Sequence, residues 1–318
     1  MNINDTIQSL YKDYGQLKGV TIECQKELVA IGIKNQAATA EVFLQGAQIT
    51  RYQRIGEIPT LFLSQACEYQ QGSALRGGIP ICWPWFGDLA KNPEAVKQQL
   101  VNEGQAEITT EFPAHGFVRQ RDWTIESIRT PADDLTIVEL SYHVKDEPLW
   151  PFDTLLTCRI SIGAALSVSL HIANNSSQPV VFSAALHSYF AVSHVDNVRI
   201  NGFNQCEYYD ALDVNEKNEW QLKTQQGDIT FSEEVDRVYQ PSTSPVVIND
   251  KNRATNISSL GSRSTVVWNP WVDKSQTLSQ FKEDDYQRMV CVETANAVND
   301  VVRLEAGEAH KLEVTISV

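Results

Sequence analysis

From Val20 onward the chain consists of short runs rich in Val, Ile, Thr and aromatic residues, broken every several positions by turn-forming residues. Such runs span Leu28 to Ile33, Ala40 to Leu44, Leu61 to Leu63, Ala106 to Phe112, Trp123 to Ile128, Leu135 to Val144, Leu155 to Ile162 and Leu166 to Ile172. They continue with Val180 to Ala184, Val198 to Ile200, Val246 to Ile248, Thr265 to Trp268, Met289 to Glu293, Val301 to Leu304 and Lys311 to Val318. Leu166-Ser167-Val168-Ser169-Leu170-His171-Ile172 alternates apolar and polar side chains, as a strand does when one face is buried and the other wet. So many strands and so few helical segments predict an all-β fold, a large antiparallel β-sandwich with a few short helices. Ile7, Leu10, Tyr11 and Tyr14 recur at helical spacing and predict a helix over residues 3–14, packed against the outside of the fold. Shorter helices are expected at Pro93 to Val101 and around Gln276 to Asp285. There is no internal repeat and no break in composition; 318 residues could form two domains, although large all-β architectures often run this long as one.

Charge narrows the possible partners. A formal net charge of −14 repels phosphate backbones and anionic membranes, which argues against nucleic acid and lipid. An anionic small ligand would therefore need a locally basic pocket. The six cysteines are scattered singly, without the paired spacing of a zinc site or a disulfide framework, and fit reduced thiols in a cytoplasm. Met1 to Leu10 lacks a basic start followed by an apolar run, and no stretch reaches transmembrane length. A cytoplasmic monomer is expected. The sequons at Asn174 and Asn256 are then accidental.

The densest chemistry lies in Arg76-Gly77-Gly78-Ile79-Pro80-Ile81-Cys82-Trp83-Pro84-Trp85-Phe86-Gly87. Its glycines permit positive φ and close backbone approach, and its prolines exclude a helix or a central strand. The stretch reads as the floor of a cleft, with Arg76 on a stiff loop and Trp83, Trp85 and Phe86 offering flat faces suited to a sugar ring. The rings fit a core corner equally well; the Arg-Gly-Gly does not. His115, between Pro113 and Gly116, projects from a shaped loop, and Arg119 four residues on forms with Arg76 a candidate clamp for phosphate or carboxylate. His187 follows an apolar strand, with Tyr189 on the same face; it is either a proton donor or a core histidine. Glu293 ends an apolar run, where desolvation would raise its pKa, or is simply a polar strand end. Asp236 beside Arg237 is as readily a solvated edge charge as a site residue. Val266 to Trp271 adds a second aromatic turn, while His143, His171, His194 and His310 read as structural or surface groups. No two histidines have metal-ligand spacing and there is no G-x-S-x-G elbow, so neither a metal nor a cofactor nor a serine nucleophile is expected.

Taken in order, Arg76-Gly77-Gly78-Ile79-Pro80, His115-Gly116-Phe117 with Arg119, Leu186-His187-Ser188-Tyr189-Phe190, Asp236-Arg237-Val238-Tyr239, Asn269-Pro270-Trp271 and Cys291-Val292-Glu293 resemble the aldose 1-epimerase superfamily. More narrowly they resemble its glucose-6-phosphate 1-epimerase (hexose-6-phosphate mutarotase) branch, over most of the chain. The resemblance implies a single-domain, galactose-mutarotase-like supersandwich over residues 1–318 and interconversion of the α and β anomers of D-glucose 6-phosphate. It implies His187 as general acid, Glu293 as general base, His115 and Asp236 at the sugar, and Arg76 and Arg119 at the phosphate. Alternatives are an epimerase of unphosphorylated aldoses, a non-catalytic carbohydrate-binding protein on this fold, and a hydrolase using Asp236 with Glu293.

Overall fold

Along Thr154–Ile162 every second residue is buried; Leu156, Cys158, Ile160 and Ile162 face inward while Arg159 and Ser161 face away. That period of two is what makes the segment a half-buried strand. The computed structural model of the chain describes residues 3–100, 112–216, 219–241 and 245–318. Their strands form antiparallel ladders in two eight-stranded sheets, a four-stranded meander and a two-stranded ribbon. One large sheet runs Val198–Asn201, Val246–Asp250, Arg253–Leu260, Ala309–Ser317, Leu166–Asn174, Thr154–Ile162, Leu135–Val144, Thr124–Ala132. The other runs Trp220–Thr224, Glu207–Val214, Val235–Tyr239, Ser264–Asn269, Met289–Asn296, Ala184–Leu186, Ile81–Cys82, with Tyr189–Ala191 also paired to Met289–Asn296. The meander is Val20–Gln25, Leu28–Lys34, Ala38–Phe43 and Ile49–Arg54, and the ribbon joins Val180–Phe182 to Val302–Leu304. One apolar cluster runs through all four, including Ile31, Leu170, Phe182 and Val292. This is the large antiparallel sandwich expected. The helix Ile3–Tyr14 lies against Val20–Gln25 with Ile3, Ile7, Leu10 and Tyr14 toward the core, again as expected.

The second sheet carries the chemistry, and its register explains how. Asp236 lies opposite Trp268, Trp268 opposite Cys291, and Cys291 opposite Tyr189; one step along, Val266 lies opposite Glu293. Residues two apart on a strand share a face, so Asp236, Trp268, Val266, Cys291 and Glu293 all point to one side.

Several local expectations change. Leu61 to Leu63 makes only isolated bridges, to Phe190 and Gly77. Val180 to Ala184 divides: Val180–Phe182 belongs to the ribbon and Ala184–Leu186 to the site sheet, with Ser183 between them bonded to Asn92. The helix expected over Gln276 to Asp285 does not form. A helix occurs earlier, at Trp271–Ser275, and Gln280 adopts φ 55, which interrupts any helix there. Its side chain bonds instead to Ser73 Oγ and the Glu68 amide across the loop. The loop helix near Pro93 is Glu94–Gln98. The run Ala106 to Phe112 lies outside the described residues except for Phe112. Glu207–Val214, Trp220–Thr224 and Arg253–Leu260 are strands whose apolar signal is diluted by solvent-facing polar positions, and that of Val235–Tyr239 is broken by the half-buried Asp236 and Arg237.

Candidate active site

Arg76 is held by the backbone around it. Gly77 and Gly78 adopt φ 135 and 64, and a Cβ would meet Phe62 O at 2.4 Å and Ile49 O at 2.1 Å respectively. Only glycine allows the loop to press against these strands and leave Arg76 at the cavity wall. Arg76 Nε donates to the Ser279 carbonyl at 3.2 Å, which orients the guanidinium from the opposite loop. The neighbouring rings behave differently from the cleft expectation. Trp83 and Trp85 are both 0% exposed, and Trp85 donates to the Pro113 carbonyl at 2.8 Å. They form the core corner beneath the site, packed on Phe117 and, for Trp83, on Trp150 and Phe182; of the three rings only Phe86 lines the cavity.

His115 sits at φ 65, followed by Gly116 at φ 67, where a Cβ would stand 1.9 Å from Trp83 O. This tight crossing fixes the imidazole. The Gly87 amide donates to His115 Nδ1 at 3.2 Å, so the ring proton is on Nε2 and is free to be donated. Arg119 Nη2 donates to the Ala114 carbonyl at 2.7 Å, while its buried Nε has no hydrogen-bond partner among the described residues.

His187 follows Ala184–Leu186, its amide tied to the Pro80 carbonyl at 3.0 Å. Its ring stacks on Tyr189 with centroids 4.7 Å apart, so the two share a face as the alternation predicts. Glu293 does not end a strand. It lies inside Met289–Asn296, with its side chain 1% exposed. His187 Nδ1 and Glu293 Oε1 are 3.4 Å apart without a hydrogen bond, and neither Nδ1 nor Glu293 Oε2 has another partner among the described residues. Asp236 is not an edge charge either: Val235–Tyr239 lies between Glu207–Val214 and Ser264–Asn269, and the carboxylate points into the same cavity.

All six anticipated residues, Arg76, His115, Arg119, His187, Asp236 and Glu293, line one cavity of about 390 Å³. Trp268, which the sequence offered only as part of a second aromatic turn, also lines it, as do Trp220 and Lys274, which the sequence reading missed. Trp220 and Lys274 carried no local signal.

The electrostatics are those of a desolvated acid–base pair in a positive field. Burial, followed by the charges of Arg119 and Arg76, pushes His187 down to about 3. Burial and then the Asp236 charge hold the Glu293 carboxyl well above the usual range. His115 is lowered by burial and by Arg119, and Asp236 is raised to about 6 by burial, opposed by Lys274. Both members of the pair thus favour their neutral forms, with one transferable proton between them. Such a pair can give a proton to one oxygen of a bound sugar and take one from another. Elsewhere the other histidines are structural or exposed: His143 pairs with Asp153, His194 with Asp196, and His310 contacts Asn296.

The sequence profile of the aldose 1-epimerase family matches residues 29–317. A protein of Cenchrus ciliaris named "Putative glucose-6-phosphate 1-epimerase" is 31% identical over 305 residues, covering 92% of this chain and 84% of its own. A protein of the same name from Escherichia coli (strain K12) is 31% identical over 274 residues, covering 85% of this chain and 84% of its own. Among solved structures, "a putative mutarotase (YeaD)" from Salmonella typhimurium superposes with a TM-score of 0.80 at 26% identity, covering 97% of this chain and 98% of that one. Galactose 1-epimerase from Lactobacillus acidophilus shares the fold, with a TM-score of 0.68 at 12% identity over 94% of this chain and 97% of its own. By its sequence, its sandwich and its coverage, the chain belongs to the aldose 1-epimerase family.

Proposed function

We propose that this chain is a mutarotase of hexose 6-phosphates that interconverts the α and β anomers of D-glucose 6-phosphate. The observation that carries the reading is the buried pair His187 and Glu293, whose Nδ1 and Oε2 have no hydrogen-bond partner among the described residues and which lines a cavity together with Arg76 and Arg119. A phosphate bound at Arg119 and Arg76 offsets the charges that disfavour protonated His187, so the pair's transferable proton moves onto the imidazole; Glu293 then takes the proton of the anomeric hydroxyl while His187 protonates the ring oxygen, and the C1–O5 bond opens to the aldehyde. Rotation about C1–C2 presents the other carbonyl face, and the same two groups with roles exchanged close the ring. His115, through Nε2–H, and Asp236 hold sugar hydroxyls, and Trp268 offers an apolar face. Arg76 and Arg119 hold the phosphate. Anchoring at the end of the sugar remote from C1 lets one cavity accept both anomers and leaves C1 free to turn. The names of the relatives support the phosphorylated substrate, as do two guanidiniums in a chain of net charge −14. The protein is read as a single-domain monomer working in the cytoplasm.

The test is anomer exchange followed by magnetisation-transfer NMR for wild type, Glu293→Gln and His187→Ala, with free glucose and galactose as comparison sugars. Enhanced exchange that prefers glucose 6-phosphate and collapses in both variants is the expected result. A preference for free sugar would move the substrate to unphosphorylated aldoses. Binding without exchange would leave a carbohydrate-binding protein.

A further inference from the structure

Behind the acid–base pair lies a third group that the reaction does not use. Cys291 is two residues before Glu293 on the same strand and points to the same face. Its Sγ, one ring nitrogen of His187 and one carboxylate oxygen of Glu293 all lie within 4.8 Å of one another. We propose that His187, Cys291 and Glu293 form a binding site for a thiophilic divalent cation of the Zn²⁺ class, and that its occupancy switches the enzyme off.

Three observations support the site. First, the 3.4 Å between His187 Nδ1 and Glu293 Oε1 is not a hydrogen bond. It does match the edge of a tetrahedron, since two bonds of about 2.0–2.1 Å at the tetrahedral angle place donors about 3.3–3.4 Å apart. Second, Nδ1 and Glu293 Oε2 are buried polar atoms without partners among the described residues, on side chains 8% and 1% exposed. Such atoms are costly unless something satisfies them, and a cation would do so. Third, the donors are one nitrogen, one sulfur and one carboxylate, which suits a borderline-soft cation and not Mg²⁺ or Ca²⁺, which require six or more oxygens. The cavity in front of the pair leaves a fourth position for water or a sugar hydroxyl.

Binding displaces protons: Cys291 releases its thiol proton and Glu293 its carboxyl proton to solvent as the metal–sulfur and metal–oxygen bonds form. A bound cation occupies the Nδ1 lone pair and the carboxylate together, leaving neither proton acceptor available. This inhibition rests on the function proposed above; binding of the cation does not.

The experiment pairs a spectroscopic readout with an activity readout. Titrating the wild type with Co²⁺ should produce a thiolate-to-cobalt charge-transfer band that is lost in Cys291→Ala and kept in Cys24→Ser, the exposed thiol. Zn²⁺ should inhibit anomer exchange of glucose 6-phosphate, and EDTA should restore it. Cys291→Ala and Cys291→Ser should exchange anomers within about twofold of wild type but need about ten- to a hundredfold more Zn²⁺ for the same inhibition. Absence of the band, or equal Zn²⁺ sensitivity in both variants and wild type, overturns the site. A band without any wild-type exchange would instead overturn the mutarotase reading and leave the cation site standing.

Discussion

His187 Nδ1 and Glu293 Oε1 face each other at 3.4 Å across the middle of one sheet, yet they form no hydrogen bond. Ala184–Leu186 and Met289–Asn296 are paired neighbours, so the ladder holds the two groups apart while bringing them to one cavity. A pair engaged with each other would resist a substrate; this one is available to it. Glu293→Gln preserves the shape and removes the base, and we expect anomer exchange to fall about 10²- to 10⁴-fold with an unchanged fold by circular dichroism. A loss below tenfold would assign the proton transfer elsewhere.

His187 should respond to phosphate. Burial and the charges of Arg119 and Arg76 lower its pKa to about 3. A phosphate dianion between those guanidiniums would offset their field, and the imidazole should titrate at higher pH, becoming a better proton carrier when substrate is bound. Histidine NMR titrations with and without saturating inorganic phosphate measure this directly. An unchanged or lowered pKa would place the anion away from the two arginines.

Arg76→Ala should discriminate between sugars. Hydrogen bonds to charged groups contribute about 1.5–3 kcal/mol, so KM for glucose 6-phosphate should rise roughly ten- to a hundredfold while glucose changes little. An equal loss for both sugars would mean that Arg76 shapes the cavity and does not clamp the phosphate.

Asp236 makes stability depend on pH in a defined direction. Its folded pKa, about 6, lies above its ordinary 3.8, so between these values the folded state binds the proton more tightly than the unfolded state. Its contribution is most favourable below pH 3.8 and is progressively lost as pH rises through about 6. Asp236→Asn should therefore stabilise the protein above that range, by about 1–2 kcal/mol after allowance for solvent screening of a partly accessible group, and should give no gain in acid. Urea unfolding at the two ends of the range reads the difference. The same variant should bind sugar more weakly, because the cavity loses a strong acceptor.

Gly116→Ala tests the crossing that fixes His115. A Cβ at φ 67 and 1.9 Å from Trp83 O cannot be accommodated without moving backbone, and we expect a loss on the order of 3 kcal/mol or more. An unfolding midpoint close to wild type would show that this loop shifts freely, and the placement of the His115 ring would then need another cause.

Strand alternation such as that of Leu166 to Ile172, the helical spacing of Ile7, Leu10 and Tyr14, and the glycines beside Arg76 and His115 were legible in the sequence, because they are local consequences of backbone geometry. Those signals, together with the ordered motifs that mark the family, anticipated an antiparallel sandwich and the six residues that share its cavity. Local pattern could not show what lies across a sheet. Trp83 and Trp85 read as a sugar platform but close the core, whereas Trp220 and Trp268 reach the cavity from strands distant in sequence. The local pattern around Asp236 fitted an edge charge as readily as a site residue, until register placed it opposite Trp268, on an interior strand. The approach of Cys291 to His187, over a hundred positions away, exists only because Met289–Asn296 pairs with both Ala184–Leu186 and Tyr189–Ala191. Periodicity records which face of a strand is buried; pairing between distant strands decides which side chains meet there, and that meeting sets the burial and the fields that determine their chemistry.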